Sequence, residues 1–149
     1  MASLAAVAAS CRQAESDHHR PPSPTAVTRD SLRFTVAAPA EARVDEDVPI
    51  TLRLTNAAGR PVELYLRGRE IAFDIIAADH AGVIVWRRLA GVVVPGILQV
   101  KVLGPGETLE LEDAWRPAAP GEYSLQGILP TDEPEPLRTA PVRVRVLPR

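Results

Sequence analysis

The chain has 149 residues, enough for one domain and a tail, since single domains usually run about 100 to 200 residues. Seventeen basic groups against 19 acidic ones give a formal net charge of −2, which offers no field for nucleic acid or an anionic bilayer. One cysteine, Cys11, excludes an intrachain disulfide framework, and one lysine, Lys101, leaves little scope for Schiff-base or P-loop chemistry.

Residues 1–10 are small and apolar, end at Cys11, and lead into the polar, proline-bearing residues 12–24, whose composition is that of a flexible linker. Ala8-Ala9-Ser10-Cys11 resembles the end of a bacterial lipoprotein signal, in which the cysteine is lipidated and becomes the mature N-terminus. Two readings stand side by side. One is a signal whose beginning lies outside this sequence, since no Lys or Arg precedes the apolar run. The other is an alanine-rich start with a lone thiol. On the first, Cys11 is a candidate lipidation site and the protein belongs to the cell envelope or is secreted; on the second it is cytoplasmic. No other stretch approaches the roughly 20 apolar residues a spanning helix needs, so membrane contact is expected only through a lipid anchor. The chain thus divides into a leader and linker at residues 1–30 and a domain at residues 31–149.

From Leu32 onward apolar residues recur at every second position, the period of strands and not of helices. Leu32, Phe34 and Val36 share a face, as do Val48, Ile50, Leu52 and Leu54. The pattern continues through Val62, Leu64 and Leu66, through Phe73 and Ile75, and through Ile84 and Trp86. A weaker strand covers residues 97–103; Leu109 and Leu111, then Tyr123, Leu125 and Leu129, then Val142, Val144 and Val146 complete the series. Turn chemistry separates them at residues 56–61, 79–82, 104–106 and 120–121. The expectation is an all-β, antiparallel β-sandwich of roughly eight or nine strands with no long helix. Tyr123, just inside a late strand after Pro120-Gly121, is placed to return its hydroxyl to upstream backbone as a tyrosine corner.

Catalytic motifs are absent: there is no Gly-x-Ser-x-Gly elbow, no glycine-rich phosphate loop and no His-Glu-x-x-His zinc helix. His18 and His19 fall in the linker and His80 in a turn beside Asp79, with no marked nucleophile. The carboxylates at Glu107, Glu110, Glu112 and Asp113, and at Asp132, Glu133 and Glu135, read as solvated strand faces, with Arg67, Arg69, Arg87 and Arg88 as a basic counterpart across neighbouring strands. No catalytic residue, metal site or cofactor is expected. The unusual stretch is residues 89–98, an apolar connection flanked by Arg87-Arg88 and Gln99. Loops are normally polar, and apolar surface on a loop marks a binding site. Leu89, Val92, Val93, Val94, Pro95 and Ile97 are therefore candidate partner-binding residues, the alternative being that residues 92–94 form another buried strand.

Several local patterns occur in a telling order. Leu52-Arg53-Leu54-Thr55-Asn56 precedes Gly59-Arg60-Pro61-Val62; Phe73-Asp74-Ile75 precedes Asp79, Gly82 and Val85-Trp86-Arg87; Leu103-Gly104-Pro105-Gly106-Glu107-Thr108 precedes Trp115 and Pro120-Gly121-Glu122-Tyr123. The ordered set, over about residues 50–129, resembles the bacterial intracellular proteinase inhibitor family of the BsuPI type. The resemblance implies an immunoglobulin-like β-sandwich that inhibits serine proteases by binding. It departs from the family after the central Trp, where an aromatic-Thr-Gln element is replaced by Val94-Pro95-Gly96 with Gln99 further on. The expectation is a monomeric, non-enzymatic protein-binding module with a serine protease as partner, docking through residues 89–98 as an apolar plug or through the turn at residues 79–82. The alternative is a surface-tethered structural or interaction domain that inhibits nothing.

Overall fold

The computed structural model describes residues 31–149. The leader, with Cys11, His18 and His19, lies outside the described residues. Eleven strands form: β1 (Leu32–Ala37), β2 (Glu41–Arg43), β3 (Val48–Asn56), β4 (Val62–Arg67), β5 (Asp74–Ala78), β6 (Ile84–Arg87), β7 (Leu98–Leu103), β8 (Thr108–Trp115), β9 (Gly121–Leu129), β10 (Leu137–Arg138) and β11 (Val142–Leu147). Nine coincide with the strands that alternation predicts. The other two, β2 and β10, have three and two residues, too few for a period-2 pattern to register.

The strands make an antiparallel β-sandwich of the immunoglobulin-like kind. One sheet has the order β1-β3-β8; the facing six-stranded sheet runs β2-β11-β9-β5-β6, with β10 beside β9. The first extended segment serves both: β1 pairs with β3, and after Ala38-Pro39-Ala40 the chain switches sheets so that β2 runs parallel to β11. Ile50, Leu52 and Leu54 of β3 are fully buried in one cluster with Ile75 of β5, Leu125 and Leu129 of β9 and Val144 of β11. Each contributes about 1.5–3 kcal/mol by leaving water. Gly127 in β9 makes room for this packing, since a Cβ there would lie 2.5 Å from a methyl of Leu52.

The β3–β8 ladder breaks at residues 57–61 and 104–107 and then resumes as a two-stranded ribbon, β4–β7. Asn56 holds the break together. Its side chain is fully buried and its Nδ2 donates to the carbonyls of Arg60 (2.7 Å), Leu103 (3.0 Å) and Gly104 (3.2 Å), while Oδ1 accepts from the amide of Ala58 (2.9 Å). Its own amide donates to the Glu107 carbonyl and its carbonyl accepts from Gly106.

The tyrosine corner is present. The Tyr123 hydroxyl donates to the carbonyl of Ala119 at 2.8 Å, and its ring meets buried Trp115 edge-on with centroids 5.0 Å apart. Asn56→Ala is expected to lose about 2–3 kcal/mol by orphaning buried carbonyls, and Tyr123→Phe about 1 kcal/mol. Urea unfolding checks both, with a lower midpoint at unchanged slope.

Candidate protein-binding surface

The candidate loop leaves the sandwich at the end of β6, and its first stem is fastened by charge. Asp74, only 5% exposed, opens β5. Its Oδ1 accepts from the amides of Ile75 (2.9 Å) and Leu89 (3.1 Å), and its Oδ2 accepts from Nε (3.2 Å) and Nη2 (2.9 Å) of Arg87. A buried carboxylate is tolerable when its acceptor sites are filled this way, one partner being a guanidinium. Arg88 holds the other side. Its Nε pairs with Asp113 of β8, its Nη1 donates to the Phe73 carbonyl at 2.8 Å, and its guanidinium carbon sits 3.7 Å from the Phe73 ring centroid. Of the expected basic counterpart, then, Arg87 and Arg88 find carboxylates. Arg67 instead donates to the Thr131 carbonyl, and Glu110 takes Arg53 from the adjacent strand.

The second stem is fastened through backbone. The Gly68 amide donates to the Ile97 carbonyl at 2.8 Å, and Nε2 of Gln99 donates to the carbonyls of Gly68 (2.8 Å) and Arg69 (3.1 Å). Gly68 is needed here: its φ is +89°, and a Cβ would come within 2.5 Å of the Glu70 carbonyl oxygen.

Between the stems the chain turns twice, with the amides of Ala90 and Val92 donating to the carbonyls of Arg87 and Leu89, and then runs through residues 93–95 without regular structure. The six candidate residues fall on this one loop, in two orientations. Val92, Val93, Pro95 and Ile97 face solvent, Val93 being 89% exposed. Leu89 and Val94 are half-buried and, with the inner side of Val92, border a cleft of about 500 Å³ shared with Ile128, Pro130, Pro136 and Arg138. Residues 92–94 do not form a buried strand; Gly91 at φ +73° precedes them and Pro95 follows.

Exposed apolar side chains also occur on the strands that flank the loop, which the sequence did not signal. Among the described residues, nine of the ten exposed large hydrophobic side chains lie within residues 83–102. Val83, Ile84 and Val85 come from β6 and its turn, Val92, Val93 and Ile97 from the loop, and Leu98, Val100 and Val102 from β7. The tenth, Tyr65, is the cross-strand partner of Val100. Alternation shows that Leu98, Val100 and Val102 share a face but not that this face is wet; Leu103, with the opposite parity, is the β7 residue that enters the core.

The Tyr65 hydroxyl donates to the Glu63 carboxylate at 3.2 Å, and this bond, with the negative charge of Glu63, raises the phenol's pKa above its ordinary value. His80 is exposed in the turn after β5, where the Asp79 carboxylate accepts from the amides of Ala81 and Val83. Among the described residues no three His, Cys, Asp or Glu side chains gather into a cation-binding set, and no helix is long and apolar enough to cross a membrane.

Fold and surface together define a β-sandwich domain that presents a pinned apolar loop. The family model for BsuPI, the intracellular proteinase inhibitors, matches residues 34–134, more than half of the chain, and the chain belongs to that family. Membership suggests a proteinase-inhibitor role, and an inhibitor acts by binding. No curated protein matches the sequence. Similar solved structures include a CARDB domain from Pyrococcus furiosus, crystallised with di-metal ions, at 14% identity and TM-score 0.46, with 79% of this chain and 94% of that one covered. The solution structure of that domain gives 15% and 0.47, with 78% and 94% covered. A β-glucosidase from Erythrobacter marinus is similar at 13% identity and TM-score 0.44, over 78% of this chain and 15% of the enzyme. None of these likenesses bears on ligand or activity.

Two measurements check the site. Asp74→Ala is expected to free the first stem, speeding hydrogen exchange at the Leu89 amide and opening residues 89–96 to limited proteolysis while the β9 and β11 amides stay protected. In alkaline titration followed by tyrosinate absorbance, Tyr65 should ionise above the ordinary value of about 10, and Glu63→Gln should bring it down. Because the folded value is raised, the associated stability is present below about pH 10 and is lost as pH rises through the folded value.

Proposed function

We propose that the domain inhibits a serine protease by docking residues 89–97 as an apolar plug. The observation that carries this is the exposure of Val92, Val93 and Ile97 on a loop held at both stems, with Val93 almost wholly in solvent. Family membership supports a proteinase as the partner, and the serine class is part of the proposal. An inhibitory loop must lose little entropy on docking, and both stems here are held before any partner arrives, by Asp74, Arg87 and Arg88 on one side and by Gly68 and Gln99 on the other. Valine at the most exposed positions suits a small or hydrophobic specificity pocket and not an aspartate-floored one, so subtilisin-like and elastase-like enzymes are the expected targets over trypsin-like ones.

The test is inhibition of each enzyme class by the purified chain. Val92→Asp with Val93→Asp should weaken inhibition at least about tenfold with an unchanged melting temperature, because both side chains already face water. Absence of inhibition at micromolar concentration by the folded protein would remove the reading. The apolar face also suits a tethered interaction domain that inhibits nothing, a role motivated by the apolar start ending at Cys11. The inhibition assay separates the two, and mass spectrometry of the native N-terminus tests the tether itself: a lipidated Cys11 supports it, and an unmodified Met1 or Ala2 removes it.

A further inference from the structure

We propose that β7 pairs antiparallel with β7 of a second copy, joining two β4–β7 ribbons into one four-stranded sheet with a two-fold axis at Val100. Open strand edges invite pairing, and folds usually blunt them by shortness, bulges, charge or cover. The other edges of this fold are blunted. Strand β2 has three residues; β6 is bulged at Val85, which has no partner between the pairs Ala77–Trp86 and Ala78–Ile84; β8 turns exposed Glu110 and Glu112 outward; β1 turns out Arg33. On the far side of the ribbon β4 is covered, Leu66 bridging to Thr131 and the Asp132 amide donating to the Tyr65 carbonyl. Strand β7 is different: it has six residues in unbroken register with β4, no proline, no bulge and, among the described residues, no partner strand on its outer side, and it exposes Leu98, Val100 and Val102 where β1 exposes Arg33, Thr35 and Ala37.

The direction of its free backbone groups follows from one bond. The Gly68 amide donates to the Ile97 carbonyl, so residues 97, 99, 101 and 103 direct their amides and carbonyls to β4. Those of Leu98, Val100 and Val102 therefore point to the open edge. The same three residues carry the exposed apolar side chains, at 50%, 56% and 51%.

Self-pairing about Val100 is complementary in side chains as well as backbone. It sets Val100 beside Val100 of the second copy, Leu98 beside Val102, and Lys101, the strand's one charged residue, opposite neutral Gln99. No like charges oppose each other, and the apolar side chains form cross-strand pairs of the stabilising kind. Centring on Leu98 instead would leave Val102 unpaired, and centring on Val102 would set Lys101 against core-facing Leu103. Pairing is isologous and closes at two copies. The residues-89–97 loops are left about 20 Å apart along the strands, outside the new ladder, so the inference is independent of what the loop binds.

The test uses the full chain carrying Cys11→Ser, which removes the disulfide route to a dimer. Sedimentation equilibrium across micromolar concentrations should show the mass rising from 16.1 kDa towards twice that value. Val100→Pro removes an amide from the open edge without touching the β4–β7 ladder, a place where an edge strand tolerates proline. It should raise the dissociation constant at least about tenfold at unchanged circular dichroism. Val100→Lys sets like charges directly opposite through an exposed side chain and should do the same. Lys101 is the chain's one lysine, so a short amine-reactive cross-linker should give a Lys101–Lys101 peptide, which is necessarily intermolecular. A monomeric mass throughout, or a dimer that survives both Val100 variants, overturns the proposal.

Discussion

The buried carboxamide of Asn56 is the constraint on which the rest of the molecule depends. A β-ladder that must change direction leaves backbone groups facing one another without partners, and in the interior each such group is costly. Asn56 resolves this at one point by donating to three carbonyls and accepting from one amide across both broken strands. An aspartate of the same shape would present acceptors to acceptors, and a leucine would present nothing. The sandwich can therefore end and the ribbon begin without an orphaned polar atom, and among the described residues no buried side-chain nitrogen or oxygen lacks a partner.

That junction positions everything that faces outward. Strands β4 and β7 leave the sandwich with Val62, Leu64, Leu66 and Leu103 still turned into the core, so the ribbon is anchored by one face while the other is exposed. The loop before β7 inherits this anchorage at its second stem and takes its first from Asp74, whose burial is paid for by Arg87 and two amides. Hydrophobic burial holds the ribbon down and hydrogen bonds aim the loop.

Most of the scaffold was legible because period-2 alternation is a direct consequence of strand geometry, and Val48 through Leu54 or Val142 through Val146 display it without interruption. The tyrosine corner was legible for a different reason: Pro120-Gly121 fixes the approach that brings the Tyr123 hydroxyl back to Ala119. What alternation cannot state is which side of a strand is dry. Leu98, Val100 and Val102 have the spacing of core residues, and only pairing with β4 in the observed register turns them to solvent. Asp74 was hidden likewise, because its partners Arg87 and Leu89 become neighbours only when β6 folds back along β5.

The division between the loop's stems and its tip has a consequence for how such a molecule changes over time. The stems are fastened by Asp74, Arg87, Arg88 and Gln99 and by main-chain atoms, while the exposed side chains of Val93 and Pro95 take no part in either stem. Substitutions at the tip are thereby uncoupled from folding, and the same chassis can be retargeted by swapping a few exposed positions. Rapid divergence between cousins should fall there first, with the frame inherited intact.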